Sequence, residues 1–123
     1  MEVPDLAPDE RTALVALVEY MVQANANVTD EEAERINSVV HELGPDVYRA
    51  TVQEVALRLP DELSLKAFLA TISRPQAREV IYGTALSVAI SDAMRPEERD
   101  LLDWLALEWG VRTVFEAPEA LDD

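Results

Sequence analysis

Apolar residues recur at helical spacing along nearly the whole chain, and proline or glycine cuts the pattern again and again. Leu14, Leu17, Val18, Met21 and Val22 follow the i, i+3, i+4, i+7, i+8 stripe of an amphipathic helix. Pro8 and Asp9 suit its first turn, and the pattern ends at Ala24-Asn25-Ala26-Asn27, where asparagine favours a turn. With only 3 Gly and few clustered β-branched residues, a sheet protein is disfavoured and an all-α fold is expected.

The later segments carry their own start and stop signals. Thr29-Asp30-Glu31-Glu32 fits a capping box, with Thr29 as N-cap and Glu32 as the acid three residues on. Ile36, Val39, Val40 and Leu43 form the stripe that follows; Gly44 supplies a left-handed stop and Pro45 forbids continuation. A third helix is predicted from about Asp46 to Leu59, with Val47, Thr51, Val55 and Leu59 on one side and Pro60 as its stop. A short fourth carries Leu65, Phe68, Leu69 and Ile72, and Ser73-Arg74-Pro75-Gln76 reads as another capping box. The fifth, from Pro75 to about Ser91, has no charge between Val80 and Ile90, so it is expected inside the bundle, with Gly83 admitting a close neighbour. The sixth opens with Pro96, buries Leu101, Leu102, Leu105, Ala106 and Trp109, and stops at Gly110 with Val111 in the apolar contact of a Schellman motif.

Helices two and six match at an offset of 66 residues: Glu32 with Glu98, Ile36 with Leu102, Val39 with Leu105, and Glu42-Leu43-Gly44 with Glu108-Trp109-Gly110. Upstream, a loop one residue shorter aligns Asn25 with Asp92, Leu14 with Ile81, Val18 with Ala85 and Met21 with Val88. Residues 9–44 and 75–110 thus read as two copies of one helix–loop–helix module, an arrangement that packs about a pseudo-twofold.

The two junctions resemble those of the TerB-like domain, named for bacterial tellurite-resistance proteins, which carries two copies of a pattern close to Ala-x-Ala-Asp-Gly-x-apolar-x-x-x-Glu. Here they read Ala24-Asn25-Ala26-Asn27-Val28-Thr29-Asp30-Glu31-Glu32 and Ser91-Asp92-Ala93-Met94-Arg95-Pro96-Glu97-Glu98. The resemblance spans about 10 to 115 and implies an all-α fold, links to tellurite or oxyanion resistance and envelope stress, and a metal ion at the acidic loops. The chain departs from the pattern at Asn25 and at Ala26 and Ala93, which stand where the family has Asp and Gly; only Asp92 keeps the loop acid.

Composition narrows the chemistry. Acids number 25 against 10 bases, a formal charge of −15, which opposes binding to nucleic-acid phosphates and to anionic lipid. No Cys is present, so thiolate metal sites, disulfides and Cys nucleophiles are excluded, and one histidine, His41, cannot build a two-imidazole centre. His41 falls near the end of helix two, off the apolar stripe, where a cation suits the helix dipole. The first residues lack the basic and apolar regions of a signal peptide, and no apolar run reaches the roughly 18 residues of a membrane span, so a cytoplasmic location without membrane insertion is expected. No EF-hand loop, Glu-x-x-His pair, Gly-x-Ser-x-Gly or phosphate loop occurs.

The expectation is one all-α domain over 1–123, a compact bundle of about six to seven helices with a buried central helix. Its core covers about 10–115, and an acidic tail runs over 116–123. Two functional readings stay open. One is a non-enzymatic TerB-like stress-response or adaptor protein with an unidentified protein partner, whose contact patch is Trp104 and Leu107, unless Val114-Phe115 folds back over them. The other is a Ca²⁺ or Mg²⁺ sensor or buffer with Glu32, Asp92, Glu98 and Asn25 as oxygen ligands, against the plainer reading that both glutamates cap helix starts. An enzyme working through paired carboxylates would need a second catalytic residue type, and none is visible.

Overall fold

The boundaries between elements fall where proline, glycine and capping residues stand. The computed structural model describes residues 1–24, 29–90 and 95–111. It shows a 3-10 turn at Val3–Asp5 and six helices: α1 (Pro8–Ala24), α2 (Asp30–Leu43), α3 (Pro45–Arg58), α4 (Glu62–Ala70), α5 (Pro75–Ala89) and α6 (Pro96–Trp109). No strand occurs among the described residues, and no helix there is long and apolar enough to cross a membrane. The expected all-α bundle is present. Val28, Asn25 to Asn27, Ser91 to Met94 and the segment 112–123 with Val114 and Phe115 lie outside the described residues.

Most of the stops act as expected. Gly44 takes φ +97°, a region closed to most side chains, and donates to Val40 at 2.8 Å, while Pro45 opens α3 on the other side of it. Gly110 adopts the left-handed conformation, and Val111 N–H reaches Ala106 O at 3.0 Å, the outer bond of a Schellman motif. Three local expectations need correction. Helix α5 starts behind Arg74, not in a Ser73 capping box: no side chain caps it, because Pro75 removes one orphan donor and Arg74 is engaged with Glu10. Val47 is exposed and Tyr48 takes its place in the α3 core face with Thr51 and Val55, a rotation of one residue. Gly83 faces solvent, and a Cβ there would meet no atom within 4 Å, so it serves no close approach.

The most enclosed element is α1. Every residue from Thr12 to Val18 is buried, and the helix packs on α3, α4, α5 and α6. Helix α5 is buried on most of its circumference, through Ile81, Tyr82, Ala85 and Val88, and contacts α1, α2 and α6. The uncharged run therefore marks an inner helix, while the innermost one carries charge only at its ends. Burying a stretch like Ala13–Val18 contributes on the order of 2 kcal/mol per large aliphatic side chain. Polar cross-links set the angles of the outer helices: Tyr48 Oη donates to Glu19 (3.1 Å), Arg35 Nε to Ser87 Oγ (2.8 Å) and Trp109 Nε1 to Leu69 O (2.9 Å).

The two halves of the internal repeat meet in this core. Leu14 and Ile81, Val18 and Ala85, Met21 and Val88, and Val39 and Leu105 are all fully buried pairs of matched positions. α1 packs on α5, and the pairs α1 with α6 and α2 with α5 are also in contact. Leu17→Ala should cost about 2–5 kcal/mol in urea denaturation, since it opens a cavity in the most enclosed helix. Leu107→Ala, at an 80% exposed site, should stay within about 0.5 kcal/mol.

Candidate functional site

Three helices of this fold bury a glutamate at their third residue: Glu10 in α1, Glu32 in α2 and Glu98 in α6. The position is local in origin. The first turn of a helix presents N–H groups with no partner inside the helix, and a carboxylate three residues in can reach back to them. Glu10 Oε1 accepts from Ala7 N at 2.7 Å, and Glu98 Oε1 accepts from Arg95 N at 2.8 Å. At α2 the other half of the box is made: Thr29 Oγ1 accepts from Glu32 N at 3.1 Å. Arg95 is a poor N-cap residue with no side-chain acceptor, yet the Glu98 carboxylate closes that turn.

What separates the three is the compensation of their charge. Arg74 grips both Glu10 oxygens, Nε on Oε2 at 3.0 Å and the terminal nitrogen on Oε1, and this holds the Glu10 carboxyl below its ordinary value. Glu98 is 0% exposed and has no such fork. Its Oε2 is fully buried with no hydrogen-bond partner among the described residues. Burial pushes the Glu98 carboxyl above its ordinary value; the Arg95 N–H works against this, and the nearby Glu32 carboxylate adds to it. Glu32 is 1% exposed, so the repeat brings two buried carboxyl groups within electrostatic reach of each other from the starts of α2 and α6.

Of the four predicted ligands Glu32 and Glu98 are both buried, and the Glu32 charge acts on Glu98. Asn25 and Asp92 lie outside the described residues, and among the described residues no third acidic or imidazole side chain joins the pair into a metal-binding group. The chemistry open to the pair is limited. Two like charges in an apolar interior are costly, and the cost is relieved by a shared proton or by a cation. A carboxylate oxygen free of donors is the type of ligand a hard cation takes.

The predicted contact patch divides. Leu107 is 80% exposed. Trp104 is half-buried, with Lys66 Nζ lying 5.1 Å from its ring centroid, so an α4 cation already covers one face of it. Sequence reading missed Glu10, whose partner Arg74 is 64 residues away, and it missed the Asp61–Ser64 capping box that starts α4. His41 is exposed in the last turn of α2. No family model, curated protein or solved structure matches the chain.

The raised Glu98 carboxyl fixes a sign for pH dependence. Its protonated form is favoured by folding, so its contribution is greatest below the ordinary carboxylate value, declines as pH rises to the raised value, and is flat above it. Glu10 acts oppositely: its contribution is present above the ordinary value and is lost as pH falls through its lowered one. In chelator, the stability difference between Glu98→Gln and the parent should therefore shift in favour of the variant from pH 4.5 towards neutrality. A difference independent of pH in urea titrations would refute a raised Glu98.

Proposed function

We propose that this chain is a non-enzymatic TerB-like domain that works in the cytoplasm through contacts with a protein partner, and that a Ca²⁺ or Mg²⁺ ion held at Glu32 and Glu98 conditions those contacts. The observation that carries this reading is the buried Glu98 Oε2, which has no partner among the described residues and stands near a second buried carboxylate. At Glu10 the same helix position is matched by the guanidinium fork of Arg74; at Glu98 a cation would fill that place. Asp92 and Asn25, aligned by the repeat, would complete an oxygen-ligand set.

Exposed Leu107, next to Trp104 on α6, supports the contact part of the reading, because a large apolar side chain in water is an available partner surface. The link to tellurite resistance and envelope stress rests on the junction motifs and the paired modules, which is analogy of pattern. Acid–base catalysis by the pair would need a second catalytic residue type beside it.

Thermal unfolding in millimolar Ca²⁺, in millimolar Mg²⁺ and in chelator, at matched ionic strength, tests the cation. An ion at a hundredfold excess over its dissociation constant stabilises the folded state by about 2.7 kcal/mol, a midpoint rise of several degrees. The rise should vanish in Glu98→Gln and persist in Glu108→Gln, an exposed acid at the far end of the same helix. A midpoint unmoved by either ion, or moved equally in both variants, would reduce Glu32 and Glu98 to helix starts.

A further inference from the structure

A second feature lies along α1 and shares no residue with the buried pair. Helices α1 and α3 and the start of α4 enclose a cleft of about 140 Å³, continuous along Glu19, Gln23, Val55, Leu59 and Pro60 with a second of about 300 Å³. Its floor is aliphatic: Val55 and Leu65 are buried, and Val52 and Leu59 are partly so. Its rim is acidic, with Glu19 on α1 and Asp61 and Glu62 at the start of α4. Lys66 is paired with Glu62 at 3.1 Å, and Tyr20 and Tyr48 donate to Glu62 and Glu19, so these carboxylates are held at the rim with oxygens fixed in place. The field there is negative beyond the rim itself. The Tyr20 phenol is pushed up to about 12, first by burial, then by its bond to Glu62 and by the charges of Glu62, Glu97 and Asp100.

An apolar trough with one sign of charge on its edges selects for its complement. A small neutral ligand would make no use of the acidic rim, and a simple cation would leave the aliphatic floor wet. We propose that the α1–α3–α4 cleft is a docking site for a protein partner through a basic amphipathic helix, whose aliphatic side chains fill the trough while flanking Lys or Arg side chains meet Glu19, Asp61 and Glu62. Helix-in-groove recognition uses this geometry, with anchors at i, i+3 or i+4, and i+7. The site uses none of the residues of the buried acid pair, so it stands or falls without the cation.

The test uses the full chain in chelator at 0.15 M salt, roughly the ionic strength at which exposed charges are screened beyond about 8 Å. The probe is a fluorescein-labelled helix-forming peptide with leucines on one stripe and lysines elsewhere, followed by anisotropy. A second peptide replaces the leucines with alanine at equal charge. The leucine peptide should bind at least tenfold more tightly. Ala56→Arg, which places bulk and positive charge in the cleft, should weaken it at least tenfold, while Leu57→Arg, one residue on at an 85% exposed position, should change it less than twofold. Both sites are exposed on α3, and circular dichroism checks that both variants keep their helix content. Equal binding of the two peptides would mean attraction to a charge of −15 and nothing more, and would overturn the proposal. So would equal loss in the two arginine variants, or no binding by the leucine peptide.

Discussion

A helix beginning is a set of unpaired N–H groups, and that of α1 lies directly before the longest enclosed run among the described residues, Thr12 to Val18. That start sets a condition at α1: Pro8 and Asp9 reach solvent, but the Glu10 carboxyl that serves the turn is buried and needs a counter-charge. Glu10 meets the condition with one carboxyl group: it closes the turn at Ala7 and is itself neutralised by Arg74, from the loop before α5. The ion pair therefore ties the start of one repeat to the start of the other. An uncompensated Glu10 would leave a buried charge under the element on which α3, α4, α5 and α6 all pack.

The same device recurs at α2 and α6, where geometry changes its meaning. At α6 the Glu98 carboxyl closes its own helix start, and the Glu32 charge at the start of α2 acts on it electrostatically. Glu98 is locally useful as the group that closes its turn, and the Glu32 charge opposes its ionisation. A chain that needed only caps could have used Ser, Thr or Asn at the preceding N-cap position, as α2 does with Thr29, and kept both third positions uncharged. Burying the Glu98 carboxyl with one oxygen left without a partner among the described residues is a cost that capping alone does not explain.

Local features were legible because their causes are local. Gly44, Gly110, Pro45, Pro75 and Pro96 sit at helix ends for reasons of backbone conformation that act within a few residues. The inward direction of Glu32 and Glu98 followed from their place one turn before Ile36 and Leu102. What escaped depends on partners far along the chain. Nothing around Glu10 separates it from an exposed first-turn acid until Arg74 arrives from 64 residues away. Gly83 looked like a close-packing residue because its neighbours are uncharged, yet an uncharged stripe can reach the surface where no helix lies over it. Trp104 and Leu107 share a helix face in sequence, and only the placement of Lys66 on α4 separates them.

The large negative charge acts differently on the two candidate surfaces. At the rim of the α1–α3–α4 cleft the carboxylates are wet, so their pull on a partner is steering and is weakened by salt. Glu32 and Glu98 are buried, so screening there is weak, and an interaction with a cation would be governed by fit and by the number of oxygens supplied. An ion held there would also lower the self-repulsion of a chain at −15, which favours the compact state. Salt should thus separate the two: it loosens a basic partner from the cleft while leaving a buried ion in place. A partner released by salt without loss of the bound ion would show that contact and cation occupancy are distinct properties of one bundle.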